Sequence, residues 1–144
     1  LKDLYAVGLI DRLPRLISAQ AEGCCPINRA VVRGGGWEPM EENTFADSIA
    51  VGVPRNGDKA LMAIRESRGL AVNVSDREIM EAQQLLGRSC GVFGEPAGVT
   101  ATAGVKKLCE GGRKPWSAWL PATASRTWPT PSRPAASRSP SPAT

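Results

Sequence analysis

Leu70-Ala71-Val72-Asn73-Val74-Ser75-Asp76-Arg77-Glu78-Ile79 sets a strand directly against a helix start. Leu70–Val74 is a short apolar run rich in valine, the pattern of a strand. Ser75 and Glu78 have the S-x-x-E spacing of a capping box, in which each side chain satisfies an orphan backbone N–H of the other residue. The helix they open carries Ile79, Ala82, Leu85 and Leu86 on one face. Upstream, Asn56-Gly57 reads as a turn, and Asp58 as the cap of a helix over 59–68 that Gly69 closes. Leu16–Ala21 is a buried strand, and Pro26 suits the first position of a helix over 26–33 stopped by Gly34-Gly35-Gly36. Leu1, Leu4, Tyr5 and Leu9 are spaced for one face of a helix ending near Gly8–Asp11. Downstream, Val92-Phe93 reads as a short strand, and Pro96 starts a helix running to Glu110 and ended by Gly111-Gly112. Strands alternating with helices imply an α/β fold with a parallel sheet and crossover helices.

The composition divides at about residue 112. Through residue 112 there are 13 Lys and Arg against 14 Asp and Glu; beyond it there are 5 basic residues and no acid. The net charge of +4 therefore belongs to the tail, and the body lacks the basic stripe of a nucleic-acid footprint. Of residues 115–144, 23 of 30 are Pro, Ser, Ala or Thr, and seven prolines remove backbone donors, so 113–144 is expected to be a disordered tail. Trp116, Trp119 and Trp128 sit oddly there, because solvated tails are usually poor in aromatic residues. The chain opens at Leu1 without a polar lead-in, which reads as a start inside a structured element.

Several chemistries drop out. There is no histidine, and Cys24, Cys25, Cys90 and Cys109 lack CxxC spacing, so neither a zinc site nor a histidine triad is expected. Scattered thiols without a secretion signal fit a reduced, cytoplasmic setting. No apolar run reaches the roughly 20 residues of a membrane span, and no membrane or nucleic-acid partner is expected. Gly34-Gly35-Gly36 follows a helix, whereas a phosphate loop follows a strand and opens a helix, so it reads as a connector. Glu22, after a strand end, reads as a solvated carboxylate.

Thr44-Phe45-Ala46-Asp47-Ser48-Ile49-Ala50-Val51-Gly52-Val53-Pro54-Arg55-Asn56, with Phe93-Gly94-Glu95-Pro96-Ala97-Gly98, resembles the threonine synthase family of pyridoxal-phosphate (PLP) enzymes. Leu1–Arg15 and Gln20–Pro26 extend the resemblance over residues 1 to about 112. Arg55-Asn56 and Glu81-Ala82-Gln83 favour threonine synthase over its relatives. Phe45 stands where a β-branched residue is usual, and Val53 where Asn is usual. The resemblance implies the C-terminal part of the large domain of a PLP fold-type II enzyme. The parent activity would convert O-phosphohomoserine and water to L-threonine and phosphate.

PLP chemistry needs a Schiff-base lysine, a phosphate cradle, a partner for the pyridine nitrogen and a small apolar wall facing the ring. In the family, the lysine and phosphate loop lie upstream of Leu1. None of Lys2, Lys59, Lys106, Lys107 and Lys114 resembles the lysine motif; the first four read as residues of polar helix faces. The chain alone is therefore expected to bind no PLP and to be inactive, with no catalytic residue of its own. The resemblance assigns the ring-facing wall to Ala46, Glu95, Ala97 and Gly98. Each has a plainer reading: Ala46 as a small junction residue, Glu95 as a charge matched to a helix dipole, Ala97 and Gly98 as helix packing. Asp47 and Ser48 read as caps of the next turn.

The tail has a second reading. Joining the third base of each codon from Trp119 to the first two of the next permits Ala-Thr-Gly-Asn-Gly-Leu-Lys-Asp, similar to the family's last core strand and loop. A frameshift near Gly111–Lys114 accounts for both the composition and the tryptophans. Two alternatives stand beside this reading. One is a fragment of a threonine or serine dehydratase or a cysteate-synthase-like enzyme; the other is a non-catalytic α/β module whose basic, Pro-rich tail docks to a partner.

Overall fold

Ile17–Ala21 (β1) and Leu70–Val74 (β2) pair in parallel, Ile17 opposite Leu70 and Ala21 opposite Val74. The computed structural model describes residues 1–112, so the tail expected to be disordered, 113–144, lies outside the described residues. Helices surround the strand pair: α1 (Lys2–Ala6), α2 (Pro26–Arg33), α3 (Gly57–Glu66), α4 (Asp76–Cys90) and α5 (Pro96–Glu110). A single 3-10 turn, Asp47–Ile49, interrupts the long connection between α2 and α3.

Side chains alternate across the two strands, and the alternation assigns each helix to a face. Ala21, Val72 and Val74 join Ile79, Ala82, Val99, Ala103 and Leu108 in one buried cluster, with Ile17 and Ala19 packed against it. That face belongs to α4 and α5. Ser18, Gln20 and Asn73 point the other way, toward α2. There the buried Asn28 donates to the Val72 carbonyl at 2.9 Å and to Asn73 Oδ1 at 2.6 Å, and Gln20 Oε1 accepts from the Asn28 backbone N–H at 2.8 Å. A buried amide bridging two strands satisfies groups that would otherwise cost about 1–3 kcal/mol each.

Gly104 lets α5 lie close on the sheet. A Cβ there would stand 3.0 Å from both Ala19 Cβ and Val72 Cγ1. The capping box is present as expected: Glu78 N–H donates to Ser75 Oγ at 3.3 Å, and Ser75 N–H to Glu78 Oε2 at 2.7 Å. Ile79 and Ala82 are buried and Leu86 packs against the core, but Leu85 is exposed, because positions three and seven after Ile79 share its face and position six does not.

Three expectations need correction. Val92 and Phe93 form no strand and are exposed, with no neighbouring strand to pair with among the described residues. Asp58 does not cap α3: the helix starts at Gly57, and Asp58 accepts instead from Trp37 Nε1 at 3.0 Å. Leu1, Leu4, Tyr5 and Leu9 lie on or beside α1, but none is buried; a five-residue helix is too short to hold a covered stripe.

Candidate functional site

Both strands end at the same edge of the molecule, and in open parallel α/β sheets ligands bind outside the carboxyl ends of the strands. The segment from Met40 to Ala50 crosses that edge. Asn43 N–H donates to the Gly23 carbonyl just past β1 at 3.1 Å. Thr44 Oγ1 donates to Asp76 Oδ1 at 2.6 Å, and Phe45 N–H to Asp76 Oδ2 at 3.1 Å, fixing the segment to the first residue of α4. The backbones approach so closely that side chains are excluded: a Cβ on Gly23 would fall 1.6 Å from the Asn43 carbonyl oxygen, and one on Gly52 1.9 Å from that of Met40. Gly52 N–H also donates to Glu42 Oε1 at 2.8 Å.

This anchoring drives Ala46 into the core. It is fully buried in the same cluster as Val74, Ile79 and Val99. Its N–H donates to Thr44 Oγ1 at 3.2 Å. Asp47 and Ser48 do not cap the short turn as expected: they lie inside it, Ala46 holds the N-cap position, no side chain caps it, and Asp47 Oδ1 accepts only from the adjacent Ser48. Glu95 occupies the N-cap position of α5, exposed and without a capping bond from its side chain. Ala97 is half-buried and Gly98 exposed, just before the buried Val99. Gln83 Nε2 donates to the Gly94 carbonyl at 2.6 Å, tying the turn before α5 to α4. Ala46 and α5 thus share one packing unit, while Glu95 and Gly98 face outward.

A hollow of about 280 Å³ lies beneath the crossing segment, lined by Ala19, Gln20, Ile27, Ile49, Val51 and others, none of them charged. A second, of about 320 Å³, lies by the amino ends of the strands, near Leu13, Leu16 and Arg68. Neither is lined by Ala46, Glu95, Ala97 or Gly98.

Lys107, expected on a polar helix face, is half-buried among oxygen acceptors, and Glu22, expected as a solvated carboxylate, is exposed and pairs with it. The Lys107 ammonium donates to Glu78 Oε2 at 2.9 Å, the Asn73 carbonyl at 2.8 Å and Glu22 Oε1 at 3.3 Å. Burial opposes its charge, but the bonds and charges of Glu78 and Glu22 outweigh that and raise its pKa. Burial likewise pushes Glu78 up, and the Ser75 N–H and Lys107 ammonium more than reverse it, leaving its pKa lowered. Burial, aided by the charge of Glu42 and opposed by a backbone hydrogen bond at Val51, raises the pKa of the Cys24 thiol. No signal in the spacing announced the Lys107 contacts or the Asp76 anchor, because both join residues far apart in the chain.

Of the other lysines, Lys114 lies outside the described residues and three are placed. Lys2 pairs with Glu66, Lys106 with Glu81 and Glu110, and Lys59 is exposed on α3. Gly34-Gly35-Gly36 follows α2, and the Gly35 carbonyl accepts from Arg65, so the run opens no helix. Among the described residues no three His, Cys, Asp or Glu side chains converge as metal ligands, and no helix is long and apolar enough to cross a membrane.

A family model described as pyridoxal-phosphate dependent enzyme matches residues 4–116. Threonine synthase of Methanosarcina acetivorans is 43% identical over 113 residues, covering 77% of this chain and 28% of that protein. Threonine synthase of Methanocaldococcus jannaschii is 44% identical over 113 residues, with the same shares of 77% and 28%. The chain thus spans about 28% of the length of these curated relatives. Among solved structures, maize serine racemase superposes with a TM-score of 0.57 at 18% identity, over 80% of this chain and 32% of that one. A threonine deaminase from T.th. superposes with a TM-score of 0.56 at 20% identity, over 74% and 38%. At these identities the structural likeness shows the fold alone, that of fold-type II PLP enzymes.

Proposed function

Since the chain belongs to the pyridoxal-phosphate dependent enzyme family, and is similar to threonine synthases, we propose that it represents part of a threonine synthase. The observation that carries this reading is identity of 43–44% sustained over 113 residues with two archaeal threonine synthases. The whole enzyme would act on O-phosphohomoserine in the cytoplasm, releasing phosphate and forming L-threonine. The dehydratase alternative has weaker support, since threonine deaminase and serine racemase are alike in fold alone.

When bound, PLP supplies an electron sink for carbanion chemistry. The described residues do not by themselves fit that cofactor. Lys2, Lys106 and Lys107 are engaged by carboxylates, Lys59 lies on an exposed helix face, and the glycine run offers no helix start. What this chain would contribute is a wall. Ala46, fully buried under the crossing segment by the Thr44–Asp76 anchor, would by its small size let that segment's backbone approach a flat ring in the complete enzyme. Glu95, Ala97 and Gly98, at the start of α5, would close the wall's other side. Residues 1–112 would form the enzyme-like unit, and 113–144 would be translation out of frame. The family model's match ends at residue 116, close to the proposed break.

The purified chain, mixed with PLP and O-phosphohomoserine, should give neither a Schiff-base absorbance band nor phosphate. Co-expression with both the preceding and the following portions of the Methanosarcina acetivorans enzyme should restore both if the wall is competent. A Schiff base formed by the chain alone would overturn the division of labour. The nucleotide sequence tests the tail: an alternate frame lacking Thr-Gly-Asn-Gly-Leu-Lys-Asp ends the frameshift reading.

A further inference from the structure

The strand pair has two outer edges, and they differ. Leu16 C=O accepts from Leu70 N–H at 2.9 Å, and Glu22 N–H donates to Val74 C=O at 2.8 Å, so both face β2. Backbone groups of a strand alternate sides residue by residue. Ser18 and Gln20 therefore also face β2, while Ile17, Ala19 and Ala21 face away from it. On β2 the outward residues are Ala71 and Asn73, and there the Lys107 ammonium donates to the Asn73 carbonyl at 2.8 Å. A lysine at an edge strand keeps other strands off. β1 carries no such guard. Among the described residues nothing donates to the outward carbonyls of Ile17 and Ala19 or accepts from their N–H groups. Ala21 C=O accepts from Cys24 N–H at 3.0 Å in the turn that follows. The uncharged hollow of about 280 Å³ lies along this edge. It is lined by both Ala19 and Gln20, whose side chains point to opposite faces, so it meets the strand from the side that β2 does not fill.

We propose that this open edge pairs with the same edge of a second copy of the chain, antiparallel about a two-fold axis at Ala19. The strand is complementary to itself. With Ala19 opposite its counterpart, Ile17 stands opposite Ala21 and Ser18 opposite Gln20, so each outward N–H meets an outward C=O across an isologous interface. A charge at or beside the axis would face its own copy, and Ile-Ser-Ala-Gln-Ala holds none. The incoming backbone, about 4.7–4.9 Å away, finds an apolar shelf in Ile27, Ile49 and Val51. A five-residue strand is short, so the interface belongs to the weak class below about 1,200 Å² and dissociates on dilution. The inference stands on the strand pair alone and is independent of the functional reading above.

The full chain is measured by sedimentation velocity over a range of concentrations, beside Ala19→Pro. Proline removes the N–H at the centre of the pairing and breaks no bond to β2, since that N–H faces outward. The parent should shift from one chain to two as concentration rises. Ala19→Pro should stay a single chain with an unchanged far-ultraviolet circular dichroism spectrum. A parent that stays single at every concentration, or a variant that dimerises as the parent does, overturns the proposal. Should Ala19→Pro not fold, amide hydrogen exchange of the parent decides. The Ile17 and Ala19 N–H groups should exchange fast in dilute solution and slowly once the dimer fills, while those of Ser18 and Gln20, which face β2, stay slow throughout. Fast exchange at Ile17 and Ala19 within the dimer places the contact elsewhere and refutes the pairing. Slow exchange that ignores concentration means that the edge is filled from within the chain, and refutes it equally.

Discussion

Gly104→Ala sets two known effects against each other, and the structure says which wins. Replacing glycine by alanine inside a helix favours folding by roughly 0.8–1 kcal/mol. Against that, the new methyl would lie 3.0 Å from Ala19 Cβ and 3.0 Å from Val72 Cγ1. Both neighbours sit on paired strands, and Ala19 has no torsion with which to move its methyl away. Overpacking a filled core costs about 1–3 kcal/mol, so the net should be a destabilisation of about 0–2 kcal/mol. Valine at the same position should exceed that, since its branches point into the same two strands. Adding Ala19→Gly to Gly104→Ala should recover part of the loss, because it removes one of the two contacts. Urea unfolding of the four proteins, followed by far-ultraviolet circular dichroism, gives each midpoint and slope. If Gly104→Ala raises the midpoint, or if the Ala19 change adds to the loss independently, then α5 does not lie on the sheet as closely as described.

Ile79→Ala should cost about 2–5 kcal/mol, the usual penalty for truncating a fully buried isoleucine, read from the same urea curves. Ser75→Ala removes the capping acceptor and should cost about 0.5–2 kcal/mol; a loss near zero means that the Glu78 half of the box suffices. The lowered pKa of Glu78 makes stability rise with pH through the acidic range: the contribution is full above its ordinary value and is lost as pH falls through the lowered one. For Lys107, whose pKa is raised, the contribution is full below the ordinary lysine value and is lost as pH rises through the raised one. Melting curves taken across pH should therefore weaken at both extremes, and Glu78→Gln should flatten the acidic limb. Asp76→Ala frees Thr44 and Phe45 from α4, so limited proteolysis should cut between 43 and 50 sooner than in the parent.

The local grammar was legible because it depends on neighbours. Ser75 and Glu78 announce their box from three residues apart, Pro26 and Pro96 mark their helix starts, and β2 matches the expected Leu70–Val74. What failed depends on distant partners. Val92-Phe93 has the composition of a strand, but a strand requires a neighbour's backbone, and none is there among the described residues. Asp58 has the right chemistry for a cap and is taken by Trp37 instead. At the candidate site, the small size of Ala46 was readable and its cause was not. The anchor on Asp76 lies 32 positions from Thr44, and the Lys107 contact with Glu22 spans 85.

The register of the sheet has a consequence for how the chain is made. β1 finds its partner only about fifty residues later, and such long loops close slowly. On the ribosome, Ile17–Ala21 must wait through the synthesis of α2, the crossing segment and α3 before Leu70–Val74 emerges. Throughout that interval the edge of β1 that later pairs with β2 is open to any other extended peptide. Slower decoding between the two strands should lengthen this exposed interval. Synonymous codon choice over residues 22–69 is therefore a lever on how much of this chain reaches the paired state.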